Sequence, residues 1–363
     1  MSHSRKEMIS FFITTKCNLD CIYCYTNKKE GTHKGQVLNI DFAKAGIDDY
    51  FNKTLFKKHI RFQGAGEPTM EISLVKEILK YAKEKGANDV TAELQTNCCF
   101  SEEIAEWVAN NIDNIWASCD GLPQIQNHNR PFLSGIGSSA IFERNIRFLV
   151  SRAKKMIGIR STITKQNIYL QKECIDYYNS LGIKHIWVDP IFPVVGEKEV
   201  EDGLDMMDFA KTFLEACIYA HNLGIEYGSI LTCNFDEKCI YACRACLPVP
   251  HLTTDGYISG CDMALYGEDK TSMSLFYYGK WDPNTKKIIY DKEKIAYIKS
   301  RTADNMPKCK SCVAKYHCCG YCPGEVLNET DDYFGQKTKV CPAIKWLYIN
   351  MPLELKKYTY THP

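Results

Sequence analysis

The chain has 363 residues, 45 Lys and Arg against 44 Asp and Glu, and 45% hydrophobic residues. That near-neutral balance gives no field to draw nucleic acid or an anionic membrane, and no run of about eighteen apolar residues is present to span a bilayer. The length suits one large domain and a smaller one. The N-terminal MSHSRKEMISFFITTKC starts basic, but its apolar stretch soon ends. It is too short for a secretory signal and reads as a buried strand, so a cytoplasmic location is expected.

In chain order, strands are expected at 8–14, 59–64, 90–97, 114–120, 157–164 and 185–192. Helices are expected between and after them at 41–53, 71–85, 101–111, 138–154, 168–181 and 205–222. Repeated β-then-α units predict parallel strands joined by crossover helices, an α/β fold of the partial (β/α)6 barrel type. In such folds the reactive groups sit at the C-terminal strand ends. The pattern breaks after about residue 223, where short elements, turns and many cysteines begin. The expected division is a barrel over 1–232 and a small cysteine-rich, ligand-stapled domain over 233–363.

Nineteen cysteines are too many for structural disulfides in a reducing compartment. Cys98, Cys99, Cys119, Cys174 and Cys217 read as small buried hydrophobes. The others cluster, as thiolates must when they converge on one inorganic core. Cys17, Cys21 and Cys24 follow the first strand directly. Three thiolates hold three irons of a four-iron cubane and leave the fourth open; a zinc site lacking a ligand and a redox pair are the bland alternatives. Near the other end, Cys309, Cys312, Cys318 and Cys322 taken alone read as a zinc ribbon. His185, His221 and His251 have no partner at ligand spacing and read as structural.

The C-x3-C-x2-C loop with Tyr23 before its last cysteine resembles the signature of the radical S-adenosylmethionine superfamily. Gly64-Ala65-Gly66-Glu67-Pro68 resembles that family's G-G-E-P motif with Ala at one glycine position, and Ser118-Cys119-Asp120-Gly121 its S-x-D-G. The resemblance implies a [4Fe-4S] cluster on Cys17, Cys21 and Cys24. It also implies S-adenosylmethionine contacts from Tyr23, Gly66, Glu67, Pro68 and Ser118, with Asn97, Arg130 and Arg160 as weaker candidates. The reaction implied begins with one-electron cleavage of the cofactor to a 5′-deoxyadenosyl radical that takes hydrogen from substrate, the electron coming from an external flavodoxin- or ferredoxin-type donor.

Cys246, Cys261, Cys309, Cys312, Cys318, Cys322 and Cys341 resemble in order and spacing the SPASM extension of radical enzymes that modify peptides and proteins. The resemblance implies two auxiliary [4Fe-4S] clusters, three in all. Cys246, Cys261 and Cys322 would serve the first, with Cys239 or Cys243 available as a fourth ligand, or with an open iron there. Cys309, Cys312, Cys318 and Cys341 would serve the second, and Cys319 would be a bystander. In length and layout the chain resembles anaerobic sulfatase-maturing enzymes, in which an aspartate at the position of Asp262 is the proposed base.

A carboxylate beside an anionic cluster is expected to have its pKa raised, which suits proton abstraction; the alternative is that Asp262 caps its turn. The radical domain is expected to start near residue 8, without an N-terminal peptide-recognition domain of the kind many peptide-modifying relatives carry. Oxidative modification of a peptide or protein side chain is the expected function. Dehydrogenation or decarboxylation of a small metabolite is the second reading, and a non-catalytic electron carrier or zinc-stapled interaction protein the third.

Overall fold

The computed structural model describes residues 7–24, 35–55, 57–86, 89–152, 156–198, 203–267 and 271–356. Its framework is a set of βα units: β1 (Ile9–Phe12), α1 (Ile40–Lys53), β2 (Lys58–Gln63), α2 (Ile72–Gly86), β3 (Val90–Thr96), α3 (Glu102–Asn111) and β4 (Asn114–Ser118). They continue through α4 (Pro123–Asn129), α5 (Ser139–Arg152), β5 (Met156–Ile163), α6 (Gln171–Ser180), β6 (His185–Pro190) and α7 (Met206–Asn222). The six strands pair in sequence order and all in parallel. These are the expected strands and helices, with ends moved by a few residues. The short α4 and a further parallel strand on β6, β7 (Glu226–Gly228), were not expected.

Helix starts are set locally. The side chains of Asn39, Ser101 and Asp205 accept backbone N–H groups in the first turns of α1, α3 and α7, satisfying donors that no earlier turn can reach. The strands alternate chemically. Ile9, Phe11, Ile60, Phe62, Ala92, Leu94, Ile115 and Ala117 are buried in the hydrophobic core formed with the helices. Alternate positions on β1 to β3, Ser10, His59, Arg61 and Glu93, are also buried but polar. Helices cover one face and side chains fill the other, so the strands bury both, as parallel strands of this class do. Gly158 illustrates the fit on the inner side, since a Cβ there would lie 2.4 Å from its strand neighbour Trp116.

The cysteine-rich part continues the same sheet. β8 (His251–Leu252) pairs in parallel with β1; β9 (Tyr257–Ser259), β10 (Tyr277–Asp282) and β11 (Lys287–Tyr290) add on antiparallel. Gly46 lets α1 close over this junction, since a Cβ there would lie 2.5 Å from Leu252. Thus β1, which leads into the first cysteine loop, lies between β2 and the extension. After α8 (Lys292–Lys299) come α9 (Lys315–Cys318), α10 (Pro323–Thr330) and α11 (Val340–Asn350), the last packed on α7. Among the described residues no helix is long and apolar enough to cross a membrane.

Candidate functional site

The C-terminal ends of β1 to β6 open into a cavity of about 470 Å³, closed on another side by the extension. Cys17, Cys21 and Cys24 lie on its wall. Their loop is fixed by backbone bonds to the segment after α4, Asp20 N to Pro131 O at 2.8 Å and Ile22 N to Asn129 O at 3.0 Å. Burial pushes the Cys17 thiol up to about 12 and the Cys21 thiol up to about 11. Thiols this buried become thiolates when a metal takes the place of the proton. Three sulfur donors facing one open space fit a cluster with a free iron.

The loop after β2 docks against the start of the cysteine loop. Gly66 N donates to Thr14 O and Glu67 N to Lys16 O, both at 2.8 Å. The approach demands glycine, because a Cβ on Gly66 would stand 2.1 Å from Lys16 O. Ala65, the departure from G-G-E-P, is small and buried. Glu67 is buried and accepts from Thr69 N and Oγ1, Thr96 Oγ1 and Asn97 N at 2.7–3.1 Å. Burial raises its pKa and these donors oppose the rise. Glu67 therefore ties the loops after β2 and β3 together. Pro68 starts the following turn and is buried away from the cavity wall. Asn97 donates to Asn18 at 2.7 Å and lies 3.8 Å from the Cys17 sulfur.

Ser118 lines the cavity, and the buried Asp120 beyond it knots three segments. Its carboxylate accepts from the Tyr23 hydroxyl, from Thr162 N at 3.0 Å and from Asn129 Nδ2 at 3.2 Å, and it pairs with Arg130 at 3.1 Å. The Arg130 guanidinium lies over the Tyr23 ring, 5.3 Å from its centre. Tyr23 and Arg130 are thus oriented on the wall by one buried carboxylate. Arg160 stands between the rings of Trp116 and Trp187 at 5.8 and 5.9 Å. Burial raises the pKa of Asp189, which accepts from Trp187 Nε1 and Ile230 N, each at 2.8 Å.

Asp262 faces the same cavity with about half of its side chain exposed to it. Its Oδ1 accepts from Arg61 at 2.6 Å and from Gln63 at 2.8 Å, with His251 Nδ1 at 3.2 Å. The expectation of a raised pKa took no account of these partners. Burial does push upward, but Arg61, His251 and Gln63 outweigh it and hold the carboxyl well below its usual range. The residue next to Cys261 is thus an anchored carboxylate rather than a turn cap. His251, expected to be structural, is a member of this group; it is buried and its pKa is lowered to about 4, first by desolvation. Arg61 and Gln63 went unnoticed in the sequence, although they are polar residues two apart, on one face of a strand that is buried from His59 onward.

The extension's cysteines separate into two sets. Cys243, Cys261 and Cys322 line the large cavity, and Cys246 bonds to Cys243 just behind it. The hydrogen bond from Cys243, helped by Arg301, lowers the Cys246 pKa. Cys309, Cys312, Cys318 and Cys341 line a separate small cavity, with Gln336 donating to the Cys341 sulfur at 3.0 Å. Cys322 is therefore parted from the three cysteines with which a zinc ribbon would group it. Among the described residues no three Cys, His, Asp or Glu groups converge closely enough for a single metal ion; a four-iron core needs its ligands farther apart. Cys239 turns toward Cys319, with sulfurs 3.7 Å apart. The cavity wall also holds Cys233, not singled out in the sequence.

The Radical SAM superfamily profile matches residues 11–210, more than half of the chain. The chain belongs to this superfamily: it is a radical S-adenosylmethionine enzyme, a class built around a [4Fe-4S] cluster and S-adenosylmethionine. An uncharacterized protein of Methanocaldococcus jannaschii is 30% identical over 185 residues, 50% of this chain and 61% of that protein. Fe-coproporphyrin III synthase of Methanosarcina barkeri is 29% identical over 171 residues, 46% of this chain and 39% of that enzyme. The chain thus spans less than two thirds of either relative. The fold is similar to that of an anaerobic sulfatase-maturing enzyme, anSMEcpe, solved with bound AdoMet (TM-score 0.76, 17% identity, 94% of this chain and 96% of that one). It is also similar to SuiB of Streptococcus suis bound to S-adenosylmethionine (TM-score 0.64, 18% identity, 92% and 76%).

Proposed function

We propose that this enzyme oxidatively modifies a side chain of a peptide or protein, with two auxiliary [4Fe-4S] clusters besides the N-terminal one. The bound cluster and S-adenosylmethionine supply a 5′-deoxyadenosyl radical. Around them Cys17, Cys21 and Cys24 hold the cluster. The Gly66–Glu67 loop, Tyr23, Ser118 and Arg130 orient the cofactor, and the walls limit water. Asp262 holds a proton-accepting carboxylate on the wall of the same cavity. One observation carries this reading: a single cavity joins the cysteine loop of β1 to Asp262 and to thiols of the extension, Cys243, Cys261 and Cys322 among them. Hydrogen abstraction and proton removal would then act on the same part of the substrate, and Cys243, Cys261 and Cys322 would hold a cluster able to take up the remaining electron. The barrel over 1–232 and the cysteine-rich part over 233–363 divide the work in this way.

A peptide as substrate is supported by two proteins of similar fold. The sulfatase-maturing enzyme has been solved with AdoMet and the Cp18Cys peptide, and SuiB with the precursor peptide SuiA. The relationship to Fe-coproporphyrin III synthase favours a second reading, oxidation or decarboxylation of a small metabolite. Stimulation separates them. Reconstituted, reduced enzyme is expected to release 5′-deoxyadenosine faster when a Cys-, Ser- or Thr-containing polypeptide substrate is supplied, with a mass change on that polypeptide. Stimulation by a tetrapyrrole or other small molecule, with no polypeptide effective, would select the second reading. An external flavodoxin- or ferredoxin-type protein is the expected electron source in either case.

For the first auxiliary cluster, Cys243 rather than Cys239 is the proposed fourth ligand, because Cys243 shares the cavity wall with Cys261 and Cys322 while Cys239 is paired with Cys319. Cys243→Ala is expected to lower the iron content or change that cluster's electron paramagnetic resonance signal, and Cys239→Ala to leave both unchanged. The opposite pattern would reassign the ligand.

A further inference from the structure

Between Cys318 and Cys322 lie three consecutive residues in the left-handed region: Cys319 at φ +52°, Gly320 at +84° and Tyr321 at +65°. Two of them carry side chains, which adopt this conformation only where the surroundings enforce it. Arg301 enforces it here. Its side chain is completely buried, at 0% exposure. Nε donates to Tyr333 O at 2.6 Å, Nη2 to Gly320 O at 2.7 Å, and Nη1 to Tyr321 O at 3.2 Å and Cys319 O at 3.4 Å. The guanidinium thus caps the carbonyls of all three left-handed residues at once.

Every one of these acceptors is a neutral backbone carbonyl. The hydrogen bonds are satisfied, yet none supplies a counter-charge, and a buried cation without one is costly. The loop whose carbonyls it holds runs from Cys318, in one thiol set, to Cys322, in the other. Arg301 therefore stands beside two groups of sulfur ligands whose thiolates would complement it, and its charge is felt at Cys246 and Cys309.

On the two-cluster reading of the extension, on which this inference rests, we propose that Arg301 is a positioning residue shared by both auxiliary clusters. Its charge offsets the negative charge of the two thiolate-ligated cores and raises both reduction potentials. Its hydrogen bonds fix the three-residue loop joining Cys318, a ligand of one, to Cys322, a ligand of the other. A positive charge favours the more negative, reduced state of a cluster, so its removal lowers the potential.

The iron content of the unaltered enzyme is read first: about twelve irons per chain uphold the two-cluster reading, and about four overturn it independently of Arg301. Arg301→Met keeps a long side chain and removes the charge. Redox titration followed by electron paramagnetic resonance is expected to show each auxiliary cluster's reduction equilibrium weakened tenfold or more, about 59 mV per tenfold for one electron. The N-terminal cluster is expected to keep its potential and its cleavage of S-adenosylmethionine. Arg301→Lys keeps the charge but cannot span all the carbonyls, so it is expected to melt earlier while holding the potentials. Auxiliary potentials unchanged in R301M, or shifted equally in R301M and R301K, overturn the proposal. Should R301M fail to take up auxiliary iron, R301K decides: full iron at unaltered potentials supports the role, and lost iron or shifted potentials overturn it.

Discussion

Cys21→Ala is expected to abolish reductive cleavage of S-adenosylmethionine, with 5′-deoxyadenosine falling to the level of an enzyme-free control. Cys21 is one of three sulfur donors, and with two the cluster lacks the ligands to hold its irons. No neighbouring thiol replaces it. Cys99 lies close enough for its charge to be felt, but its sulfur is buried and turned toward Ser138 O at 3.9 Å. The loop is also pinned on either side of Cys21, at Asp20 N and Ile22 N, so it is not free to bring another residue forward. The fold is expected to survive, because Cys21 is only partly buried at the margin of a large core that the strands and their helices form. Iron per chain should drop by about four, the auxiliary share remaining. Measurable cleavage by a fully reconstituted variant would remove Cys21 from the ligand set.

The parts of the molecule most legible in the sequence were those governed by local chemistry. The six parallel strands show as short segments rich in β-branched and aromatic residues between helical stretches, and the cysteine loop lies where a strand must end. The grouping of Cys261 with Cys322, and of Cys341 with Cys309, Cys312 and Cys318, was implied only by resemblance, which left Cys239 and Cys243 equally open. Thiol spacing alone groups Cys322 with its neighbours in sequence. The junction of the two parts was hidden for a different reason: β8 is two residues long, too short to leave a period.

Asp262 shows where local reasoning fails. Beside Cys261 it reads as a carboxylate pushed toward protonation, but its neighbours in space come from β2 and β8, roughly two hundred residues away in the case of β2. Arg61 and Gln63 look in sequence like polar interruptions of a strand. Only the parallel pairing of β1 with both β2 and β8, which sets Ser10 opposite Arg61 on one side and His251 on the other, reveals what they face.

Asp262→Asn is expected to leave cleavage of S-adenosylmethionine within about twofold of the original while product formation falls by about 10²–10⁴-fold, the usual range for a lost general base. The amide retains the size of the carboxylate and an oxygen to accept from Gln63, but it leaves the buried Arg61 without its anionic partner. A loss caused by that disturbance alone must be separated from loss of the base. Arg61→Lys supplies the comparison, since it keeps the cation while loosening the geometry; a base role requires D262N to be far the more damaging of the two. The pH profile is a second check. Because Arg61, and the hydrogen bond from Gln63, favour the charged form of Asp262, the group is expected to stay ionised as pH falls from 8 to 5, with no acid limb from this carboxylate in that window. Such a carboxylate is a weak base, suited to a proton already made acidic by hydrogen loss at the adjacent carbon. Product formation by D262N at the original rate would leave Asp262 as an anchor for Arg61 alone.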